Sequence, residues 1–205
     1  MNKAEQTREL ILHAAIEEFA HVGYTNATTS GIAHRAGISK GLIFYHYASK
    51  KALLLAALEY GVGFFERYLF ANPEFTQISD IFERIMFIGR MKQGFYKEYH
   101  TLNAVIIDAY RLVGDAEFQD VREYFNKVIT SSVPKFFEGV DTSKFRGRVS
   151  PQETVSYIID VMTLISMRHF AKFKEDPNAI YGNIQEQQDN VEAFVDLIKY
   201  GVYAD

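Results

Sequence analysis

The chain has 205 residues, 48% of them hydrophobic and 23% charged, a balance that supports a buried core and excludes disorder over most of its length. It has no cysteine, so disulfides, thiolate metal sites and cysteine nucleophiles are excluded, and only four prolines interrupt the long stretches open to helix. The net charge of −4 hides a division: residues 1–51 hold six Lys and Arg against four Asp and Glu, and the remainder holds sixteen against twenty-two, a basic head on an acidic body.

No stretch approaches the ~18–20 uncharged apolar residues of a membrane span. The charged start MNKAEQTREL lacks the apolar run of a secretory signal, so a cytoplasmic location is expected. The first helix is predicted from about Gln6 to His21, with Ile11, Leu12, Ala15, Ile16, Phe19 and Ala20 at helical spacing and Gly23 as its stop. Thr28 caps a short helix holding Ile32, Ala33 and Ala36, and Gly37 ends it. Ser39 caps a third helix to about His46, and Ser49 a fourth that begins at Lys50 and reaches Phe70. Apolar segments follow from about Ile78 to Tyr99, Leu102 to Val113, Asp115 to Ser132 and Pro151 to Lys174, with a last helix from Ile184 to Tyr203. The stretch from Pro134 to Val149 reads as loop with a helical turn. The expected fold is all-α with about nine helices. Leu42 to Tyr47 is β-branched and aromatic enough to suit a strand, but no second strand candidate could pair with it.

Ala36-Gly37-Ile38-Ser39 joins two short capped helices. Gly37 can supply the positive φ of a sharp turn, Ile38 can fill the gap between the helices, and Ser39 starts the second. This is how a helix-turn-helix is built, and its second helix would lie in the major groove with its N-terminal residues at the base edges. Lys40, Lys50 and Lys51 sit in first turns of helices, where the macrodipole disfavours cations by ~0.3–1 kcal/mol each. A phosphate backbone would compensate them.

At these residues the sequence resembles the TetR/AcrR-type transcriptional regulators. The likeness runs from about Thr7 to Leu58 and takes in Ala14-Ala15, Phe19-Ala20, Gly23-Tyr24, Thr28, Ile32-Ala33, Ala36 to Gly41, and Tyr47 to Leu54. It implies a three-helix DNA-binding domain, drawn here as residues 1–50. It also implies a helical effector-binding and dimerisation domain, residues 51–205. Carried over by position, Thr28 and Thr29 would touch phosphate, and Ser39, Lys40, Gly41 and Leu42 would face the groove. Tyr45 and His46 would reach the sugar-phosphate backbone, and Lys50 a phosphate. Phe44, Ile32, Ile38 and Ile43 are expected to pack inward. Three departures stand out. Gly31 occupies a position where an acid often closes a capping box, Tyr47 replaces a Phe, and Leu42 replaces a Thr and could touch a thymine methyl instead.

The body carries no motif of its own. A small-molecule effector is implied by the resemblance, and Phe64, Tyr68, Phe87, Tyr96, Tyr110, Tyr124, Phe125 and Phe170 are the candidates to line its cavity. The acidic, aromatic body suggests an apolar or aromatic ligand, neutral or cationic. The helix from Pro151 is apolar nearly all round except for Ser156, Asp160, Thr163 and Ser166, and the last helix has a broad apolar face. A two-fold homodimer through these helices would cover both, with Ile158, Met162, Ile165, Phe194, Ile198 and Val202 at the interface.

The reading is therefore a ligand-responsive repressor that binds palindromic double-stranded DNA as a dimer and is released by its effector. The alternative is a helical small-molecule-binding protein that keeps the fold without binding DNA. Glu18 and His21 form one Glu-x-x-His, where a di-iron bundle needs two plus further carboxylates. No Gly-rich phosphate loop, G-x-S-x-G or H-E-x-x-H occurs. No catalytic residue, metal or cofactor is expected.

Overall fold

The computed structural model describes residues 2–175 and 184–202, with the side chains of 166–175, 184–188, 190, 201 and 202 outside the described set. The described residues form ten α-helices and no β-strand: α1 Lys3–Asn26, α2 Thr29–Ala36, α3 Lys40–His46, α4 Lys50–Phe70, α5 Pro73–Gln77, α6 Ile81–Glu98, α7 His100–Leu112, α8 Gln119–Lys127, α9 Pro151–Glu175 and α10 Ile184–Val202. The chain has the all-α build of a helix-turn-helix head followed by a larger helical body.

Packing separates two units, residues 1–67 with 95–122 and residues 68–94 with 123–205, so the division falls inside α4, α6 and α8. In the first unit α1 starts earlier than its apolar spacing suggests. Asn2 and Glu5 close a capping box, with the Glu5 N–H donating to Asn2 Oδ1 at 2.9 Å and the Asn2 N–H to Glu5 Oε2 at 2.7 Å. Ile11, Ala15, Ile16 and Phe19 are buried on the face that meets α2 and α7. Gly23, at φ 74 and ψ 157, breaks the helical path there. α7 packs back on α1 and buries Leu102, Val105, Ile107 and Ala109.

In the second unit Asn72 caps the short α5, which has Pro73 in its first turn and was not foreseen from the sequence. α6 begins at Ile81 rather than Ile78 because Asp80 Oδ1 accepts the N–H groups of Phe82 and Glu83, at 2.9 and 3.2 Å. Arg84 is 5% exposed; its guanidinium donates to the carbonyls of Ile78 and, at 2.7 Å, Glu138, and lies over the Phe75 ring. The helix expected to run on to Ser132 opens into a π-turn over Val128–Ser132 and a 3₁₀ turn over Val133–Phe137, where Pro134 lacks the N–H a regular helix needs. Ser150 and Glu153 cap α9: the Glu153 N–H donates to Ser150 Oγ at 3.2 Å and the Ser150 hydroxyl to Glu153 Oε2 at 2.6 Å. The Ser150 hydroxyl and the Ser150 N–H, which donates to the same oxygen at 3.0 Å, hold the Glu153 carboxyl below the usual range.

Candidate nucleic-acid interface

The helix-turn-helix is built as its sequence suggests. Thr28 Oγ1 accepts the Gly31 N–H at 2.9 Å and starts α2. Gly37, at φ 66 and ψ 31, ends it, and the Ile38 N–H returns to the Ala33 carbonyl at 3.0 Å in a Schellman arrangement. Ser39 Oγ accepts the Leu42 N–H at 3.4 Å and opens α3. Residues 42–47 hold no strand, because Ile43 and Tyr47, one turn apart, are both buried and their anchoring outweighs β propensity. The Tyr47 hydroxyl also donates to the Arg8 carbonyl at 3.2 Å.

With Ile43 and Tyr47 inward, α3 turns Lys40, Gly41, Phe44 and Tyr45 to solvent, with Leu42 and His46 half-buried beside them. Thr28 and Ser39 are exposed and Thr29 half-buried. Phe44 corrects the expectation that it packs inward. It is 47% exposed, one turn from Lys40, whose Nζ lies 6.0 Å from its ring centre. The same 3.6-residue period that buries 43 with 47 places 40 and 44 on a different stripe. Tyr45 is 80% exposed, its ring edge-on to His46. A Cβ at Gly41 would meet nothing nearer than Ser39 Oγ at 4.0 Å, so the surface is open there.

The three lysines in first turns part company. Lys50 Nζ donates to the carbonyls of Tyr24 at 2.7 Å, Ala27 at 2.9 Å and Thr25 at 3.4 Å, so the charge for which the sequence suggested a phosphate is compensated within the chain. Burial lowers its pKa, with Glu117 opposing the change. Lys51 pairs with Asp120 at 3.2 Å and donates to the Glu117 carbonyl at 3.0 Å. Lys40 has no ion pair among the described residues. The acid missing at Gly31 is supplied from α1: the Glu18 carboxylate stands where a side chain at 31 would project and pairs with Arg35 at 3.1 Å. That pairing also occupies the carboxylate of the lone Glu-x-x-His.

Of the candidate ligand-lining residues, Phe64, Tyr96 and Tyr110 belong to the first unit, and Tyr68, Phe87, Tyr124 and Phe125 to the second. Phe64 stacks on Tyr60 at 6.0 Å and meets Phe95 and Tyr99 at 5.9 and 4.8 Å. Burial pushes the Tyr110 hydroxyl up to about 12 and that of Tyr96 higher still, with Tyr110 adding to the shift. Phe87 and Phe125 are buried. The Phe170 side chain lies outside the described residues.

Among the candidate interface residues, Ile158 is 3% exposed within its own chain, Met162, Ile165, Phe194 and Ile198 are half-buried, and the Val202 side chain lies outside the described residues. Ile158 and Ile198 line a groove of about 380 Å³ together with Arg146, Arg148 and Tyr157. The outward apolar residues are others: Tyr157, Val161 and Leu164 on α9 and Leu197 and Tyr200 on α10, from 37% to 79% exposed. The 157, 161, 164 spacing is helical, but only packing tells which stripe of a nearly all-apolar helix faces out.

Residues 11–57 match the sequence model of bacterial regulatory proteins, tetR family. The HTH-type transcriptional regulator YerO of Bacillus subtilis is 43% identical over 58 residues, 28% of this chain and 20% of that protein. The match therefore spans about a fifth of that relative's length. Over whole chains the fold resembles SmeT, the repressor of the Stenotrophomonas maltophilia multidrug efflux pump SmeDEF, with a TM-score of 0.67 and 16% identity over 100% of this chain and 94% of SmeT. It also resembles a transcriptional regulator from Saccharomonospora viridis solved with choline, with a TM-score of 0.65 and 18% identity over 98% of this chain and 100% of that one. At these identities the likeness is one of fold. No helix among the described residues is long and apolar enough to cross a membrane.

Proposed function

Residues 11–57 belong to the tetR family of bacterial regulatory proteins, and on that premise we propose that the chain is a ligand-responsive transcriptional repressor acting in the cytoplasm. It binds palindromic double-stranded DNA as a homodimer and is released by a small-molecule effector. Residues 1–50 form the DNA-binding domain and residues 51–205 the effector-binding and dimerisation domain. One observation carries the reading: a firmly capped turn holds α3 so that Lys40, Gly41, Phe44 and Tyr45 face outward while Ile43 and Tyr47 anchor it from behind. Lys40, Gly41 and Leu42 meet base edges, and Thr28, Thr29, Ser39, Tyr45 and His46 meet the sugar-phosphate backbone.

The exposed apolar stripes of α9 and α10 support the dimer, since an isologous pairing covers the same patch on both copies. The effector is apolar or aromatic, neutral or cationic, consistent with the rings around Phe64 and with the choline bound to the regulator from Saccharomonospora viridis. The test is binding to DNA flanking the chain's own gene, followed by titration with aromatic and cationic compounds. Salt-sensitive binding to a palindrome, weakened by one of these compounds, is the expected result. A chain that is stabilised by such a compound yet binds no DNA is a helical ligand-binding protein instead.

A further inference from the structure

Two oppositely charged side chains from different helices hold the backbone of one residue. The Tyr24 N–H donates to Asp108 Oδ2 of α7 at 2.6 Å, and the Tyr24 carbonyl accepts from Lys50 Nζ of α4 at 2.7 Å. The same ammonium reaches Ala27 and Thr25 carbonyls and sits 4.3 Å from the Tyr24 ring centre. That ring is 7% exposed and edge-on to Phe118 at 5.4 Å. Asp108 Oδ1 lies 3.9 Å from Arg111 on the same helix. An ammonium carries three N–H donors, and three carbonyls stand around this one, so contact with a phosphate would break a bond inside the chain.

The residues so held are the last turn of α1, beyond the kink at Gly23, and Ala27, which opens the connection to α2; Thr28, the cap of α2, follows Ala27 directly. Gly23 has left the helical path just before, so α1 alone does not set the direction of that connection.

We propose that Lys50 and Asp108 form a clamp on Tyr24 that positions α2 and α3 for DNA, and that Lys50 is a positioning residue rather than a phosphate ligand. The proposal rests on the DNA-binding function above. It separates charge from placement, because Asp108 is an anion. Removing it brings the protein closer to the charge DNA prefers, yet the clamp requires that binding weaken.

The experiment measures Lys50→Met, Asp108→Ala and Asp108→Asn against a palindromic DNA selected by the wild-type protein, across several salt concentrations, with circular dichroism confirming the fold. Lys50→Met and Asp108→Ala are expected to bind about tenfold more weakly, the scale of one lost hydrogen bond to a charged group. Asp108→Asn, which keeps an acceptor, stays near wild type. The slope of log K against log salt stays unchanged in Lys50→Met, whereas a lost phosphate contact lowers it by ~0.9. A lowered slope, or an Asp108→Ala protein that binds as tightly as wild type, overturns the proposal. Amide exchange decides the clamp without DNA: the Tyr24 N–H should exchange faster in Asp108→Ala while Ile11 and Ile32 stay protected, and an unchanged Tyr24 rate also overturns it. If the wild-type chain selects no DNA, the DNA-binding function fails by itself and the exchange result still stands or falls alone.

Discussion

Glu18 and Arg35 meet across α1 and α2 at 3.1 Å, and the Glu18 carboxylate lies where any side chain at Gly31 would project. The pair itself contributes little, since Arg35 is 37% exposed and such ion pairs are worth ~0–1 kcal/mol. Its geometric consequence is larger: the first turn of α2 accepts only glycine without displacing the acid.

Gly31→Ala is therefore expected to push the Glu18 carboxylate off Arg35 with little change in stability. The displaced atoms are the end of a flexible side chain, and the ~0–1 kcal/mol of the lost pair is offset by the ~1 kcal/mol that alanine gains over glycine in a helix. Urea unfolding of the two proteins compares them. A variant less stable than the parent by more than ~1 kcal/mol would mean that Glu18 cannot swing aside.

Phe44 and Ile43 are neighbours on α3 with opposite surroundings, 47% and 0% exposed. Phe44→Ala should change folding stability by less than ~1 kcal/mol while weakening DNA binding. Ile43→Ala should cost ~2–5 kcal/mol of stability, as truncation in a core does. Equal stability losses for the two would contradict the orientation of α3.

For the dimer, Leu197→Glu and Tyr200→Glu change residues that are 74% and 79% exposed within the protomer. Both are expected to shift sedimentation from dimer to monomer with an unchanged circular dichroism spectrum. Ile158→Asp places a charge at a site 3% exposed and should instead lower folding stability by about 3 kcal/mol or more, the range for a buried unpaired charge. A wild-type chain that sediments as a monomer at micromolar concentration removes the homodimer.

Alkaline pH should destabilise the fold through its tyrosines. Burial raises the Tyr110 hydroxyl to about 12 and raises Tyr24 and Tyr96 as well, so the folded state keeps protons that the unfolded chain releases near its ordinary value of 10. The stabilisation associated with these protons is fully present below pH ~10 and is lost as pH rises through the folded values. Phenolate absorbance should rise in two stages, with the late stage coinciding with unfolding. Titration of every tyrosine in one step near pH 10, with the fold intact, would refute the burial of these hydroxyls.

The head was legible in the sequence because its signals are local. Thr28, Gly37, Ser39 and Ser49 act on backbone groups within a few residues, so caps, turn and helix lengths follow from the order of residues alone. The same local grammar placed α7, α9 and α10 to within a few residues. Facing and partnership were not local. Phe44 and Ile43 are adjacent and similar in hydropathy, and only the packing of α3 against its neighbours turned one outward. Lys50 looked like a cation waiting for phosphate because the carbonyls that compensate it lie 23 to 26 residues earlier, and Asp108 meets Tyr24 across 84. Ile158 and Tyr157 could not be assigned to inside or outside from a helix that is apolar on nearly every side. Hydrogen-bond caps are short-range and directional, so sequence order determines them; burial and ion pairing depend on which distant surfaces meet, and that is settled only when the helices pack.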